Sequence, residues 1–121
     1  NLEGANLLGT NLFESNLESA NLTGATLSGS YIRHANFTSA NLNGADLSNA
    51  IVVCEFCASG KANFRGANLS SANLSGFKAG ISNFTDADLT NANLEEGDFS
   101  KAIFCRTKTP WGIENVGCTD N

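Results

Sequence analysis

Residues 54–57 read Cys54-Glu55-Phe56-Cys57, the C-x-x-C spacing of a dithiol. In a thioredoxin-like protein one such thiolate attacks and the other resolves, but that chemistry needs a strand-to-helix setting. No such setting is readable around these residues. As half of a zinc site the pair has no second half. The plainer readings of Cys54 and Cys57 are a local disulfide or inert packing cysteines. The two other cysteines are Cys105 and Cys118, and four cysteines leave three disulfide connectivities open. Glu14, His34 and Cys54 recur at equal intervals of 20 residues. Stacked in a column, a carboxylate, an imidazole and a thiolate could hold a metal ion. A solvated column of turn residues is the simpler reading, and no metal is assigned. The sole histidine has no nucleophile argued beside it except Cys54, and neither a repeated Ser/His/Asp constellation nor a phosphate loop is present. The chain is therefore expected to be non-catalytic and to carry no cofactor.

Whatever these residues do depends on the repeat that places them. A large apolar residue returns every five positions, from Leu2, Leu7, Leu12, Leu17, Leu22 and Leu27 through Ile32, Phe37, Leu42, Leu47 and Val52. The series resumes at Phe64 and runs to Phe104. Two places earlier stands a small residue, as at Ala5, Ala20, Ala35, Ala67 and Ala92. A period of five suits neither a 3.6-residue helix nor a two-residue strand. It suits a chain that turns a corner every five residues, so that about 20 residues close one square coil and the coils stack into a solenoid. The large residue points inward, and so does the small one, because four side chains of each kind share a narrow interior. Phe77 in a small position beside Ala79 in a large one reads as a local exchange of volume. Glycine two places after the core residue, as at Gly4, Gly24 and Gly66, supplies the positive φ of a tight corner.

The pattern Ala5-Asn6-Leu7-Leu8-Gly9, repeated as Ala67-Asn68-Leu69-Ser70-Ser71, resembles the pentapeptide-repeat family over residues 1–104. The resemblance implies an all-β fold, a right-handed quadrilateral parallel β-helix of about five coils, roughly 25 Å long at the spacing of paired strands. Between Val52 and Phe64 lie twelve residues, where two units take ten, so residues 53–63 form an irregular coil with a two-residue insertion. Ser59-Gly60-Lys61 is the most loop-like place for it. One threading puts Cys54 in the small inner position and Phe56 in the core; the preferred one puts Cys57 in the core. Residues 105–121 are expected to leave the repeat. The run from Phe104 to Cys118 resembles a closing segment of bacterial, especially cyanobacterial, members, with Trp111 in place of an expected Asp. That resemblance implies a cap folded over the last coil, a Cys105–Cys118 bridge worth roughly 3 kcal/mol in the chain-entropy model, and a monomer. The N-terminal end shows no matching cover.

Composition narrows the function. The net charge is −5, with five acids and one base in residues 1–60 and seven acids and six bases in residues 61–121. The absence of a basic stripe argues against binding nucleic acid, and no apolar run reaches membrane-span length. The chain begins in mid-repeat at Asn1, which reads as a trimmed fragment, so the lack of a leader excludes no compartment. Bridged cysteines favour the periplasm, a thylakoid lumen or the cell exterior; free thiols favour the cytoplasm. The N-x-S/T sequons, such as Asn21 and Asn68, arise from the repeat itself and carry no assigned function. Leu8 and Phe13 point outward on adjoining faces and form a candidate contact patch for an unidentified protein partner. The leading reading is a non-catalytic structural or protein-interaction module. The second follows family members that mimic DNA and modulate type II topoisomerases such as gyrase, although the carboxylates here are scattered over several faces.

Overall fold

Each five-residue unit closes on itself by a turn in which the small residue's amide donates to the carbonyl of the preceding core residue, as from Ala25 to Leu22 at 3.0 Å. The computed structural model describes residues 1–52 and 60–118. Successive coils are joined by parallel backbone pairing. The core residue's amide donates to the next rung, as from Leu22 to the Asn41 carbonyl (2.7 Å), and the following unit's amide donates back, as from Asn41 to the Ala20 carbonyl (2.9 Å). A corner every five residues leaves only single bridges on each face, which line up in four columns. One runs Asn21, Asn41, Asn68, Asp88, Lys108; the others pass through Thr26 and Asp46, through Tyr31 and Ile51, and through Asn36 and Asn63.

The interior is a single apolar stack. Leu22, Leu27, Ile32, Phe37, Leu42, Leu47, Phe64, Leu69, Leu74, Phe84 and Leu89 are fully buried. In one column the rings of Phe37, Phe64, Phe84 and Phe104 lie one above another, with successive centroids 5.0, 5.0 and 5.4 Å apart. The volume exchange holds: Phe77 and Ala79 are both fully buried, and the Phe77 ring stands edge-on to Phe64 and Phe84. Packing is tight enough here that Gly97 must lack a side chain, since a Cβ would lie 2.5 Å from the Phe99 ring and 3.1 Å from the Phe77 carbonyl oxygen.

In most units the corner two places after the core residue takes positive φ whether or not it is glycine; Glu14, His34, Asn49, Asp86 and Arg106 adopt values between 52° and 62° there, while Lys101 does not. The unit at Ala79 departs from this. Its corner residue is Ile81, whose branched Cβ makes that conformation costly, and the positive φ moves one residue earlier, to Gly80 at 58°.

The register differs from the expectation in two places. Ile51 and Asn63 occupy neighbouring columns, because Tyr31 pairs with Ile51 while Asn36 pairs with Asn63. The connection is thus one unit with seven residues added, where the sequence reading has two units with two added. The core position expected for Cys57, like Cys54 and Phe56, lies outside the described residues. Gly60 and Lys61 belong to the rung and not to a loop: the Gly60 carbonyl accepts from Ile81 and the Lys61 carbonyl from His34. At the other end the repeat does not stop at Phe104. Lys108 pairs with Asp88, so Thr107 and Thr109 take the small and large inward positions, both buried. The Thr107 hydroxyl donates to the Phe84 carbonyl at 2.7 Å.

That last stretch is strand β1, Phe104–Thr109, and it turns through Pro110-Trp111 into β2, Gly112–Val116. The strands pair antiparallel, Lys108 opposite Ile113 and Thr107 opposite Glu114, with the register broken between Phe104 and Thr107. At that irregularity the Arg106 amide donates to the Asn115 side chain (2.9 Å). A Cys105–Cys118 disulfide, with Cα atoms 4.8 Å apart, ties the end of the hairpin back to β1.

Candidate interaction surfaces

The repeat presents three outward side chains per unit, and their chemistry is set by position. The Asn before each core residue accepts a hydrogen bond from the amide two residues on, as Asn11 does from Phe13 (3.0 Å) and Asn63 from Arg65 (3.0 Å). Asp46, Asp88 and Asp98 stand in Asn positions and do the same for Ser48, Thr90 and Ser100. The Thr90 hydroxyl beside Asp88 and the Ser100 hydroxyl beside Asp98 hold these carboxyls below the ordinary carboxylate range. Each of these three carboxylates therefore spends an acceptor on its own turn.

The column expected to join Glu14, His34 and Cys54 does not form as expected. With seven residues added to its coil, the position one rung above His34 is Lys61, and Cys54 lies outside the described residues. His34, Lys61, Asn63 and Asn83 line a shallow recess of about 360 Å³. Among the described residues no group of three His, Cys, Asp or Glu side chains is placed to hold a metal ion.

Leu8 and Phe13 stand on successive corners at the N-terminal end, 63% and 42% exposed. Phe13 is buttressed from the next rung: the Arg33 guanidinium sits 4.7 Å over its ring, and the His34 ring lies 5.8 Å away. Tyr31, 52% exposed, adds a third apolar body in the column that begins at Asn11. The sequence reading missed it, although an aromatic residue in an Asn position was a legible clue, since every such position faces outward.

At the C-terminal end a bidentate ion pair joins Asp86 to Arg106, Nε to Oδ1 at 2.7 Å and Nη2 to Oδ2 at 3.1 Å. The Arg106 hydrogen bond holds Asp86 below its ordinary pKa, and Asp86 raises that of Arg106. Beside the hairpin the solenoid is open. Leu94 and Phe99 are only partly buried, and with Phe104, Pro110 and Trp111 they line a mouth of about 680 Å³. Among the described residues, no helix is long and apolar enough to cross a membrane.

A family model for pentapeptide repeats matches the chain in eight copies, over residues 1–29, 15–51, 60–77 and 82–108. Among solved structures, the pentapeptide-repeat protein Rfr23 of the cyanobacterium Cyanothece 51142 is 37% identical, with a TM-score of 0.68 over 76% of this chain and 58% of its own. The pentapeptide-repeat protein alr5209 of Nostoc PCC 7120 is 28% identical, with a TM-score of 0.51 over 76% of this chain and 62% of its own. QnrB1, a plasmid-mediated fluoroquinolone resistance protein, shares the fold at 15% identity, with a TM-score of 0.67 over 93% of this chain and 56% of its own. The chain thus spans about three-fifths of the length of each of these solved relatives. No curated protein matches the sequence.

Proposed function

The chain belongs to the pentapeptide-repeat family, and from that membership we propose that it is a non-catalytic protein-interaction module, a monomeric right-handed solenoid of about five coils. The observation that carries this reading is the exposed group Leu8, Phe13 and Tyr31, with Phe13 held in place by Arg33 and His34. A side chain already positioned from behind loses little freedom when a partner covers it. This group gathers large apolar bodies of the kind that anchor interfaces on adjoining faces of the first two rungs. Its partner is a protein. The test is capture from native extract under oxidising conditions with quantitative mass spectrometry. One enriched partner, lost when Leu8 and Phe13 are both changed to Ser, supports the reading; the same proteins captured by both forms would overturn it.

The Cys105–Cys118 bridge supports a working location in an oxidising compartment: periplasm, thylakoid lumen or cell exterior. Thiol counting before and after reduction of gently isolated protein tests that placement, and free Cys105 and Cys118 thiols would reverse it. The topoisomerase-modulator reading is weaker, because the acids are scattered over several faces and do not form one continuous acidic face.

A further inference from the structure

The two ends of the solenoid are not equivalent, and the C-terminal end is half closed. β1 continues the columns of Asp88 and Asn83, so two of the four faces are covered by a further rung. The other two are not. Asn93 pairs with Asn73 and Asp98 with Lys78 on the rung below, and among the described residues neither pairs with anything above. An unpaired parallel edge is a template for another strand. Its floor is apolar, formed by Leu94, Phe99 and Phe104, and Trp111, 65% exposed, forms a wall. The described lining holds two carboxylates, Glu95 and Asp98, and no cationic side chain.

We propose that this mouth binds an extended peptide segment of a partner protein as one further rung, with apolar residues over Leu94 and Phe99 and basic residues over Glu95 and Asp98. The register of the fold dictates the pattern. A rung laid over Leu94-Glu95-Glu96-Gly97-Asp98-Phe99 places each of its residues about 4.8 Å above its counterpart. Leu94 and Phe99 point inward, so their counterparts are apolar; Glu95 and Asp98 point outward, so theirs are basic. The counterpart of Glu96, which has φ of 58°, is glycine, and that of Gly97 is small because the inward position two before a core residue is small in nearly every unit of the repeat. The segment therefore reads apolar, basic, Gly, small, basic, apolar. A second copy of this chain does not supply it. The outward residues flanking the core positions of its first coil are Asn1, Glu3, Asn6, Leu8, Asn11, Phe13, Asn16 and Glu18, none of them basic. Charge complementarity thus favours a different protein over end-to-end self-association.

This inference rests on the reading of the chain as an interaction module and adds a second surface, at the end opposite to Leu8 and Phe13. Trp111 is the chain's sole tryptophan and reports on the mouth directly. The full chain is titrated with the blocked hexapeptide Leu-Lys-Gly-Ala-Lys-Phe and with its counterpart bearing Glu for both Lys. Saturable change in Trp111 emission with the basic peptide is expected, with at least about tenfold weaker binding of the acidic one. The exposed substitution Glu95→Lys should abolish that preference, and amide shifts should concentrate at Leu94, Phe99 and Trp111. No saturable response up to millimolar peptide, equal response to both peptides, or shifts centred elsewhere would overturn the proposal. Such a failure, with capture still dependent on Leu8 and Phe13, would leave the interaction-module reading standing.

Discussion

At the residue scale the fold depends on one small device, a side-chain oxygen two residues before an amide. Asparagine supplies it in most units, and its recurrence was legible in the sequence without its purpose being so. The purpose becomes plain where aspartate replaces it, because Asp88 accepts from the Thr90 amide (2.9 Å) just as Asn68 accepts from that of Ser70 (3.0 Å). The exchange makes one turn sensitive to acid. The Thr90 hydroxyl and amide favour the charged form of Asp88, so its folded pKa is lowered. A carboxylate with a lowered folded pKa stabilises the fold above its unfolded value, near 4, and that contribution is lost as pH falls through the folded value. Asp88→Asn keeps the acceptor and removes the titration. Acid unfolding followed by circular dichroism should therefore show a shallower fall for Asp88→Asn below the ordinary carboxylate range, with stability at pH 7 little changed. A pH profile identical to that of the unchanged protein would mean the turn does not sense the charge.

At the scale of the rung, packing rather than hydrogen bonding sets the variation. Phe77 sits where nearly every other unit has a small residue, and Ala79 sits where nearly every other has a large one. Both are fully buried, and the Phe77 ring meets Phe64 and Phe84 edge-on. The two positions share one space, so their substitutions should couple. Ala79→Leu alone should overpack the interior and cost about 1–3 kcal/mol. Phe77→Ala alone should leave a cavity and cost about 3–5 kcal/mol. Made together they restore the usual unit, and the loss in urea unfolding should fall well below the sum of the two; strict additivity would show that the rings, not the shared volume, hold this rung. The sequence made this exchange readable because every unit has a fixed inward pair. It could not settle the irregular coil, since residues 53–58 contain Cys54, Phe56 and Cys57, each of a size to suit an inward position. What decides the threading is the column that Asn63 joins, a contact with Asn36 made 27 residues away. The continuation to Lys108 was hidden for a similar reason. Thr107 and Thr109 do not resemble Ala and Leu, yet Thr107 is buried and its hydroxyl is satisfied by the Phe84 carbonyl.

At the scale of the whole molecule, each coil touches only its neighbours, so stability should be graded along the stack instead of uniform. Burial already follows that gradient. The large inward residues from Leu22 to Leu89 are fully buried, while Leu2, Leu7, Leu12, Leu17, Leu94 and Phe99 are partly exposed. The open mouth was not legible in the sequence, because the closing segment read as a cover for the last coil as a whole; among the described residues it extends two faces and pairs with neither of the other two. The disulfide acts on this weak end. It joins residues 13 apart and ties the chain just past β2 to the second residue of β1, and β1 in turn pairs with the rung at Phe84–Leu89. In the chain-entropy model a loop of this size is worth roughly 3 kcal/mol, and in a one-dimensional stack that stabilisation should be felt locally before it is felt globally. Amide hydrogen exchange on oxidised and reduced protein separates the two. Reduction should speed exchange at Ile103 and Lys108, whose amides pair with Ser82 and Ala87, and then at Leu89. Leu42, several rungs away, should keep its protection, and Leu7 should exchange at the same rate in both forms. Equal acceleration at Leu42 and Lys108 would show that the stack opens as one cooperative unit, with the bridge guarding the whole molecule and not its C-terminal end.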